Sequence, residues 1–150
     1  MNRELCRKSS GAMFVTVFAG CLDLATGEVE IGNAGHNPPY RLGLDGAVTK
    51  VTEPRGVPLG VLDGFDFPTG RLRLAPGEGL IVYTDGVTEA LDPREEQFGT
   101  ARLESYLAGV AGRPVGEIVQ GTLQAVQEFE AGAPQYDDIT VLGVRYLGSR

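Results

Sequence analysis

Three aspartates stand at the borders of short apolar segments, and they are the residues of this sequence best suited to metal chemistry. Asp85 follows the apolar run at residues 80–83, whereas Asp137 and Asp138 precede the apolar run at residues 139–144. If the two runs are neighbouring strands, these carboxylates lie together and can bind a hard cation such as Mg²⁺ or Mn²⁺, which takes oxygen ligands. The alternative, which spacing alone favours, is that each aspartate caps a turn or a helix start.

Hydrophobic periodicity and turn residues predict the elements that carry these aspartates. Short apolar or alternating segments, separated by Gly, Pro, Asn and Asp, indicate β-strands. The predicted strands cover residues 13–24, 29–31, 40–44, 47–51, 71–74, 80–83 and 139–146. Asp85 therefore lies just after one strand, and Asp137 and Asp138 lie just before the last one.

Between these acidic positions, apolar residues recur with helical spacing. The apolar faces of two predicted helices are formed by Leu103, Leu107 and Val110 and by Ile118, Val119, Leu123, Val126 and Phe129. Pro114 begins the second helix, where its missing N–H would have no partner in any case, and Gly132 with Pro134 ends it. Residues 1–8 form the end of a further helix. Strands followed by two helices and a final strand indicate an α+β fold.

Composition limits the classes to which the protein belongs. Of the 150 residues, 42% are hydrophobic and 22% are charged, as expected of one folded domain over residues 1–150. Its 13 basic and 20 acidic residues give a net charge of −7, which repels nucleic acids and anionic membranes, so neither is expected as a partner. Cys6 and Cys21 have neither zinc-site spacing nor a disulfide framework, which fits the reducing cytoplasm.

The first apolar run allows a second interpretation. Arg3, Arg7 and Lys8 precede the apolar residues 12–22, and the sequence Val-Phe-Ala-Gly-Cys ending at Cys21 is similar to a lipoprotein cleavage site. The run is too short to cross a bilayer as a helix. We favour a strand over a lipid anchor.

Six segments occur in the order and spacing of one protein family. They are Met13-Phe14-Val15-Thr16, Asn33-Ala34-Gly35-His36-Asn37-Pro38, Pro58-Leu59-Gly60-Val61, Tyr83-Thr84-Asp85-Gly86-Val87-Thr88-Glu89-Ala90, Phe98-Gly99 and Asp137-Asp138-Ile139-Thr140. With them, nearly the whole chain resembles the PPM-type metal-dependent protein serine/threonine phosphatases, specifically the bacterial stage II sporulation protein E branch. One such segment is a weak signal, whereas six in register are a specific one.

The resemblance implies an α+β fold in which two antiparallel β-sheets form a sandwich flanked by helices, in an αββα arrangement. It also implies two Mn²⁺ or Mg²⁺ ions at one end. In this family a metal-activated water attacks the phosphorus of phosphoserine or phosphothreonine directly, because paired cations lower the pKa of the bound water and neutralise charge on the phosphoryl oxygens.

Carried over by position, the resemblance implies that Asp85 and Asp137 are the catalytic metal ligands. Asp138 falls where related enzymes often carry Asn, so we expect it to support the site without binding metal. Gly86 and Glu89 are the other candidate supporting or regulatory residues. A first-turn Glu that only favours the helix dipole is an equal interpretation of Glu89.

The sequence departs from the family pattern at its start. The pattern begins with two further Asp motifs on the first strands and before the first helix, and nothing before Met13 matches them. We therefore expect a partial domain without those elements, a weak or incomplete dinuclear site, and an open sheet edge that either pairs with a second copy or is rearranged. The general-acid His of some relatives belongs to the missing part, so we interpret His36 as a turn residue.

Two functions remain open from the sequence. The first is a metal-dependent phosphatase that acts on a phosphorylated regulatory protein, such as an anti-sigma-factor antagonist, under the control of an upstream sensor or regulatory domain. The alternative is a non-catalytic truncated fragment or pseudophosphatase that serves as a protein-interaction module.

Overall fold

The computed structural model describes residues 1–8 and 13–149, which form two compact units. The first unit comprises Met1–Pro38, Thr52–Ala75 and Gly148–Arg150, and the second comprises Pro39–Val51 and Pro76–Leu147. Residue 12, where the run similar to a lipoprotein signal begins, lies outside the described residues. That residues 1–150 form one domain stays a prediction.

The described part of the chain contains four helices and seven strands. In order they are α1 (Asn2–Lys8), β1 (Val17–Leu22), β2 (Glu28–Ala34), β3 (Tyr40–Leu42), β4 (Val48–Lys50), β5 (Thr69–Arg73), β6 (Gly79–Tyr83), α2 (Asp85–Glu89), α3 (Gly99–Val110), α4 (Val115–Glu130) and β7 (Val141–Arg145). All the strands pair antiparallel. The α+β class and the two antiparallel sheets predicted above are confirmed.

The first unit contains α1 and a three-stranded sheet in the order β1-β2-β5. A hairpin joins β1 to β2, and its turn is held by the Asp23 carboxylate, which accepts the backbone N–H of Ala25 at 2.8 Å. The strand predicted at residues 13–24 is shorter than expected, because among the residues described before β1 only Val15 is paired, in an isolated bridge with Leu59. Cys21 lies within β1, as the strand interpretation requires.

The second unit contains a four-stranded sheet in the order β4-β3-β6-β7, with the helices that follow β6. Strand β6 is central and apolar, and Ile81 is fully buried in it. Side chains of β3 and β6 pack with residues of α3 and α4 in one core formed by Tyr40, Leu42, Ile81, Tyr83, Val87, Ala90, Phe98, Leu103, Leu107, Ala111, Ile118 and Val126. This core fixes the end of β6, after which Asp85 follows.

Helix α4 agrees with the predicted bounds but buries one residue that its apolar periodicity does not predict. Pro114 directly precedes it, as predicted, and its carbonyl accepts the N–H of Ile118 at 3.1 Å. Thr122 is fully buried on this helix, although an apolar pattern does not predict a buried threonine. Its burial is possible because its hydroxyl donates a hydrogen bond to the Ile118 carbonyl at 2.7 Å. The helix ends at Ala131 in the left-handed conformation, followed by the predicted Gly132. None of the described helices is long and apolar enough to cross a membrane.

We predict that Ile81→Ala lowers the free energy of unfolding by about 2–5 kcal/mol, because it leaves a cavity in the core between sheet and helices. Leu147→Ala is the control, since Leu147 is 82% exposed beyond the end of β7 and its truncation should cost less than about 1 kcal/mol. Urea unfolding followed by circular dichroism measures both. Equal losses in the two variants would contradict the central position of β6.

Candidate active site

The pairing of β6 with β7 brings the predicted aspartates to one edge of the second unit. In the antiparallel register the last residue of β6, Tyr83, lies opposite the first residue of β7, Val141. The chain leaves β6 toward Asp85 at the same edge where it enters β7 from Asp137 and Asp138. The condition set by the sequence, that the two runs be neighbouring strands, is therefore met.

The hydroxyl of Thr84 joins the two segments beyond the end of the strand pair. It donates a hydrogen bond to the Asp138 carbonyl at 2.8 Å and accepts one from the Thr140 backbone N–H at 2.9 Å. The Thr84 backbone N–H also donates to the Thr140 carbonyl at 3.0 Å. We call this set of three hydrogen bonds the threonine bridge. It fixes the backbone before Asp85 against the backbone after Asp137.

Gly86 allows the same two segments to approach closely. A Cβ at this position would lie 2.5 Å from the Asp138 carbonyl oxygen and 3.0 Å from its carbon, both of them backbone atoms. Any larger residue would therefore push the Asp137-Asp138 turn away from α2. This contact gives a physical reason for the glycine in the Thr-Asp-Gly sequence.

The carboxylates themselves face water. Asp85 is the exposed first residue of α2, and Asp137 and Asp138 are exposed in the turn before β7. One oxygen of Asp137 accepts the backbone N–H of Asp138 at 2.7 Å, which restricts the carboxylate but leaves its second oxygen available. Glu89 is exposed at the far end of α2, about 6 Å along the helix axis from Asp85.

The aromatic end of β6 supports this edge from the core side. Tyr83, two residues before Asp85, is buried and stacks on Tyr40 with ring centroids 5.7 Å apart. Burial raises the pKa of the Tyr83 hydroxyl above its ordinary value, so Tyr83 stays neutral and adds no charge behind the carboxylates.

The carboxylate oxygens at this edge are of the type that binds Mg²⁺ or Mn²⁺. There are too few of them to hold two ions. Hydrated carboxylate oxygens are the ligands these cations prefer. Within residues 1–8 and 13–149, however, no group of three or more His, Cys, Asp or Glu side chains is arranged to hold a metal ion. A dinuclear centre would need carboxylates beyond Asp85 and Asp137.

Sequence reasoning identified the aspartates but missed the role of Thr84. A signal was present, because Thr84 directly precedes the Asp-Gly turn and Thr140 directly precedes β7. Threonine is neither charged nor strongly apolar, so Thr84 and Thr140 do not stand out as metal ligands or as core residues in the sequence. Their importance follows only from the pairing of β6 with β7.

Comparisons with known proteins identify relatives along almost the whole chain. The model of the family described as Stage II sporulation protein E (SpoIIE) matches residues 1–147. Protein IcfG of Synechocystis is 37% identical over 134 residues, which cover 89% of this chain and 21% of that protein. The phosphoserine phosphatase RsbU of Bacillus subtilis is 24% identical over 151 residues, which cover 97% of this chain and 43% of RsbU.

A solved structure agrees with the architecture. The RsbU and RsbW domains of Rv1364c from Mycobacterium tuberculosis match with a TM-score of 0.80 and 27% identity, over 99% of this chain and 41% of that one. The two antiparallel sheets with helices are therefore shared with this structure. The chain spans less than half the length of each of these relatives.

We predict that Thr84→Val, which removes only the hydroxyl, lowers the free energy of unfolding by about 0.5–1.5 kcal/mol, because the Thr140 N–H and the Asp138 carbonyl lose their partner. The same variant should speed hydrogen exchange of the Thr140 amide, measured by NMR. Thr49→Val is the matched control, because Thr49 occupies an exposed position of β4. It should change neither the free energy of unfolding nor the exchange rate of the Thr140 amide. Unchanged exchange at Thr140 in a folded Thr84→Val protein would refute the threonine bridge.

Proposed function

This chain belongs to the stage II sporulation protein E family, and on that premise we propose that it supplies Asp85 and Asp137 to the metal centre of a phosphoprotein phosphatase. The reaction is hydrolysis of phosphoserine or phosphothreonine on a regulatory protein. The observation that carries the proposal is the threonine bridge, because it holds Asp85 and the turn at Asp137 at one edge.

The proposed roles of the site residues follow from their positions. Asp85 and Asp137 would each offer an anionic oxygen to Mn²⁺ or Mg²⁺, and Asp138 and Gly86 would position the turn through the contact between them. When bound, a pair of such cations supplies a water of lowered pKa and neutralises charge on the phosphoryl group. A pair of cations would also need carboxylates other than those of Asp85 and Asp137.

Electrostatics gives a reason for metal dependence that does not depend on the family. The second unit contains 13 acidic and six basic residues by sequence, and three exposed carboxylates stand at the site edge. A phosphate dianion is repelled by such a surface. Cations at Asp85 and Asp137 would reverse that repulsion, so substrate binding as well as the chemistry requires the metal.

For the substrate we propose a phosphorylated regulatory protein of the anti-sigma-factor antagonist type, acting in the cytoplasm under an upstream sensor or regulatory domain. The similarity to RsbU, a phosphoserine phosphatase, supports the phosphoserine chemistry. The similarity to a structure with RsbU and RsbW domains supports a place among proteins of that regulatory class.

A non-catalytic role is the second candidate. Its support is that the described part of the chain brings no three potential metal ligands together. In that case the same fold would bind a partner protein without hydrolysing phosphate, as a pseudophosphatase.

We predict that the chain, supplemented at its amino terminus with the family's two further Asp motifs, hydrolyses a small aryl phosphate only when Mn²⁺ is present. Asp85→Asn and Asp137→Asn should each lower the rate at least about 100-fold, since each removes a charged ligand. Release of the aryl alcohol is followed by absorbance. Glu117→Gln is the matched control, because Glu117 is an exposed carboxylate on α4 away from the aspartates in sequence.

The outcomes of this assay separate the two candidates. Mn²⁺-dependent turnover that both Asn variants abolish and Glu117→Gln preserves supports the phosphatase. A folded chain without turnover in Mn²⁺, even with the two further Asp motifs added, favours the non-catalytic role. Turnover that survives Asp85→Asn would show that Asp85 is not a ligand.

We also propose that the outer edge of β7 pairs with a second copy of the chain. Strand β7 ends the order of its sheet, and no described strand covers its outer edge. Leu142 and Val144 are 58% and 40% exposed on the strand. Exposed apolar edge strands are templates for pairing.

Sedimentation should therefore detect a dimer whose population rises with concentration. Val144→Lys should shift it to monomer, because a charge on the edge strand opposes pairing. Val61→Lys places the same charge on a similarly exposed residue outside the strands and should leave the dimer intact. A monomer at every concentration would exclude this interface.

A further inference from the structure

We propose that a cavity around His36 and Arg55 in the first unit binds a phosphate group. The cavity encloses about 510 Å³ and lies between the segment after β2 and the segment before β5. That volume is within the range of small-ligand sites. The polar side chains that line it belong to Asn33, His36, Asn37, Thr52 and Arg55.

The wall that carries His36 is fixed by a buried asparagine. The Asn33 carboxamide accepts the His36 backbone N–H at 2.8 Å and donates to the His36 carbonyl at 3.0 Å. Asn33 is only 7% exposed, and its own carbonyl accepts the Gly56 N–H at 2.8 Å. The first two bonds fix the backbone at His36, and the third ties it to the segment at Gly56 before any ligand binds, which lowers the entropic cost of binding.

Close packing of Gly35 against Pro58 also maintains the shape of the cavity. Gly35 has φ +73°, and a Cβ there would lie 2.6 Å from Cγ of Pro58, which also lines the cavity. Only glycine permits both this backbone conformation and this approach. The backbone conformation of Gly35 and its contact with Pro58 therefore explain why a glycine precedes His36.

In one of its two tautomers, the imidazole of His36 can donate to a ligand oxygen through Nε2. Its Nδ1 lies 3.2 Å from the Thr16 hydroxyl. With that hydroxyl donating to Nδ1, the ring proton resides on Nε2, which is then the nitrogen available to a ligand oxygen. The proposal gives the His36 side chain a role that the turn interpretation did not include.

Charge favours an anion as the ligand. Arg55 is among the residues that line the cavity, is exposed, and makes no ion pair with any described residue. None of the described lining residues is acidic. The first unit contains seven basic and seven acidic residues by sequence, so it lacks the net negative charge of the second unit. Guanidinium, imidazole, hydroxyl and amide donors together are the set that recognises phosphate oxygens.

Phosphate of this kind has two sources, a phosphorylated serine on a polypeptide and inorganic phosphate. Both present the same oxygens to Arg55 and His36. They differ in the chain attached to the phosphate, so affinities for a phosphoserine peptide and for inorganic phosphate distinguish them. Tighter binding of the peptide identifies a phosphoprotein as the ligand, and equal binding identifies free phosphate. The proposal holds in either case.

The single histidine of the sequence makes the test direct. Inorganic phosphate, a short phosphoserine peptide and its unphosphorylated form are titrated into the chain at constant pH and ionic strength, with a chelator present to remove divalent metals. The imidazole resonances, which can come only from His36, should shift saturably with the two phosphorylated probes and not with the third. Without metal the aspartate edge does not contribute, so this result is independent of the proposed phosphatase activity.

Arg55→Gln should weaken phosphate binding about tenfold, because a charge-assisted contact is lost. Arg113→Gln removes an equal charge from an exposed residue of the second unit and should change binding by less than about twofold. His36 resonances that do not move at tens of millimolar phosphate would overturn the proposal. Equal weakening by both Arg variants would overturn it as well, since the binding would then follow overall charge only.

Discussion

The acidic edge of this protein depends on the antiparallel pairing of β6 with β7. Because the strands run in opposite directions, the exit from one and the entry to the other meet at the same place, and residues distant in sequence become neighbours there. The register matters as much as the direction, since a slip of one residue would turn every side chain of β7 to the other face. The Thr84 hydroxyl bonds to the Asp138 carbonyl and to the Thr140 N–H, on either side of Ile139, and so holds that register at its end.

Much of this arrangement could be predicted from local sequence, and the rest could not for physical reasons. The apolar run at residues 80–83 predicted β6 because a strand buried on both faces needs continuous apolar residues. The aspartates followed from their places beside such runs. Which strands pair is a long-range property that periodicity does not contain, so only the family resemblance supplied it. Thr122 was missed because a hydroxyl that bonds within its own helix is buried at little cost.

The two units differ in charge in a way that fits two kinds of ligand. The whole net charge of −7 is carried by the second unit, where exposed carboxylates favour cations. The first unit is balanced, and its cavity presents Arg55 and His36 without an acidic residue among the described lining. A single average over the chain hides this division, which is why the acidic composition argued against nucleic acid as a partner but gave no indication of a local anion site.

The number of carboxylates limits what the acidic edge does alone. Each exposed carboxylate is well hydrated, so a cation that displaces this water gains little from one or two such groups. Affinity rises when further anionic oxygens are held at fixed positions, because their mutual repulsion has already been overcome by folding. The threonine bridge and Gly86 supply that fixed geometry for the turn between Asp137 and Asp138. The geometry of the edge is therefore set by this chain, whereas the strength of metal binding is set by how many further oxygens join it.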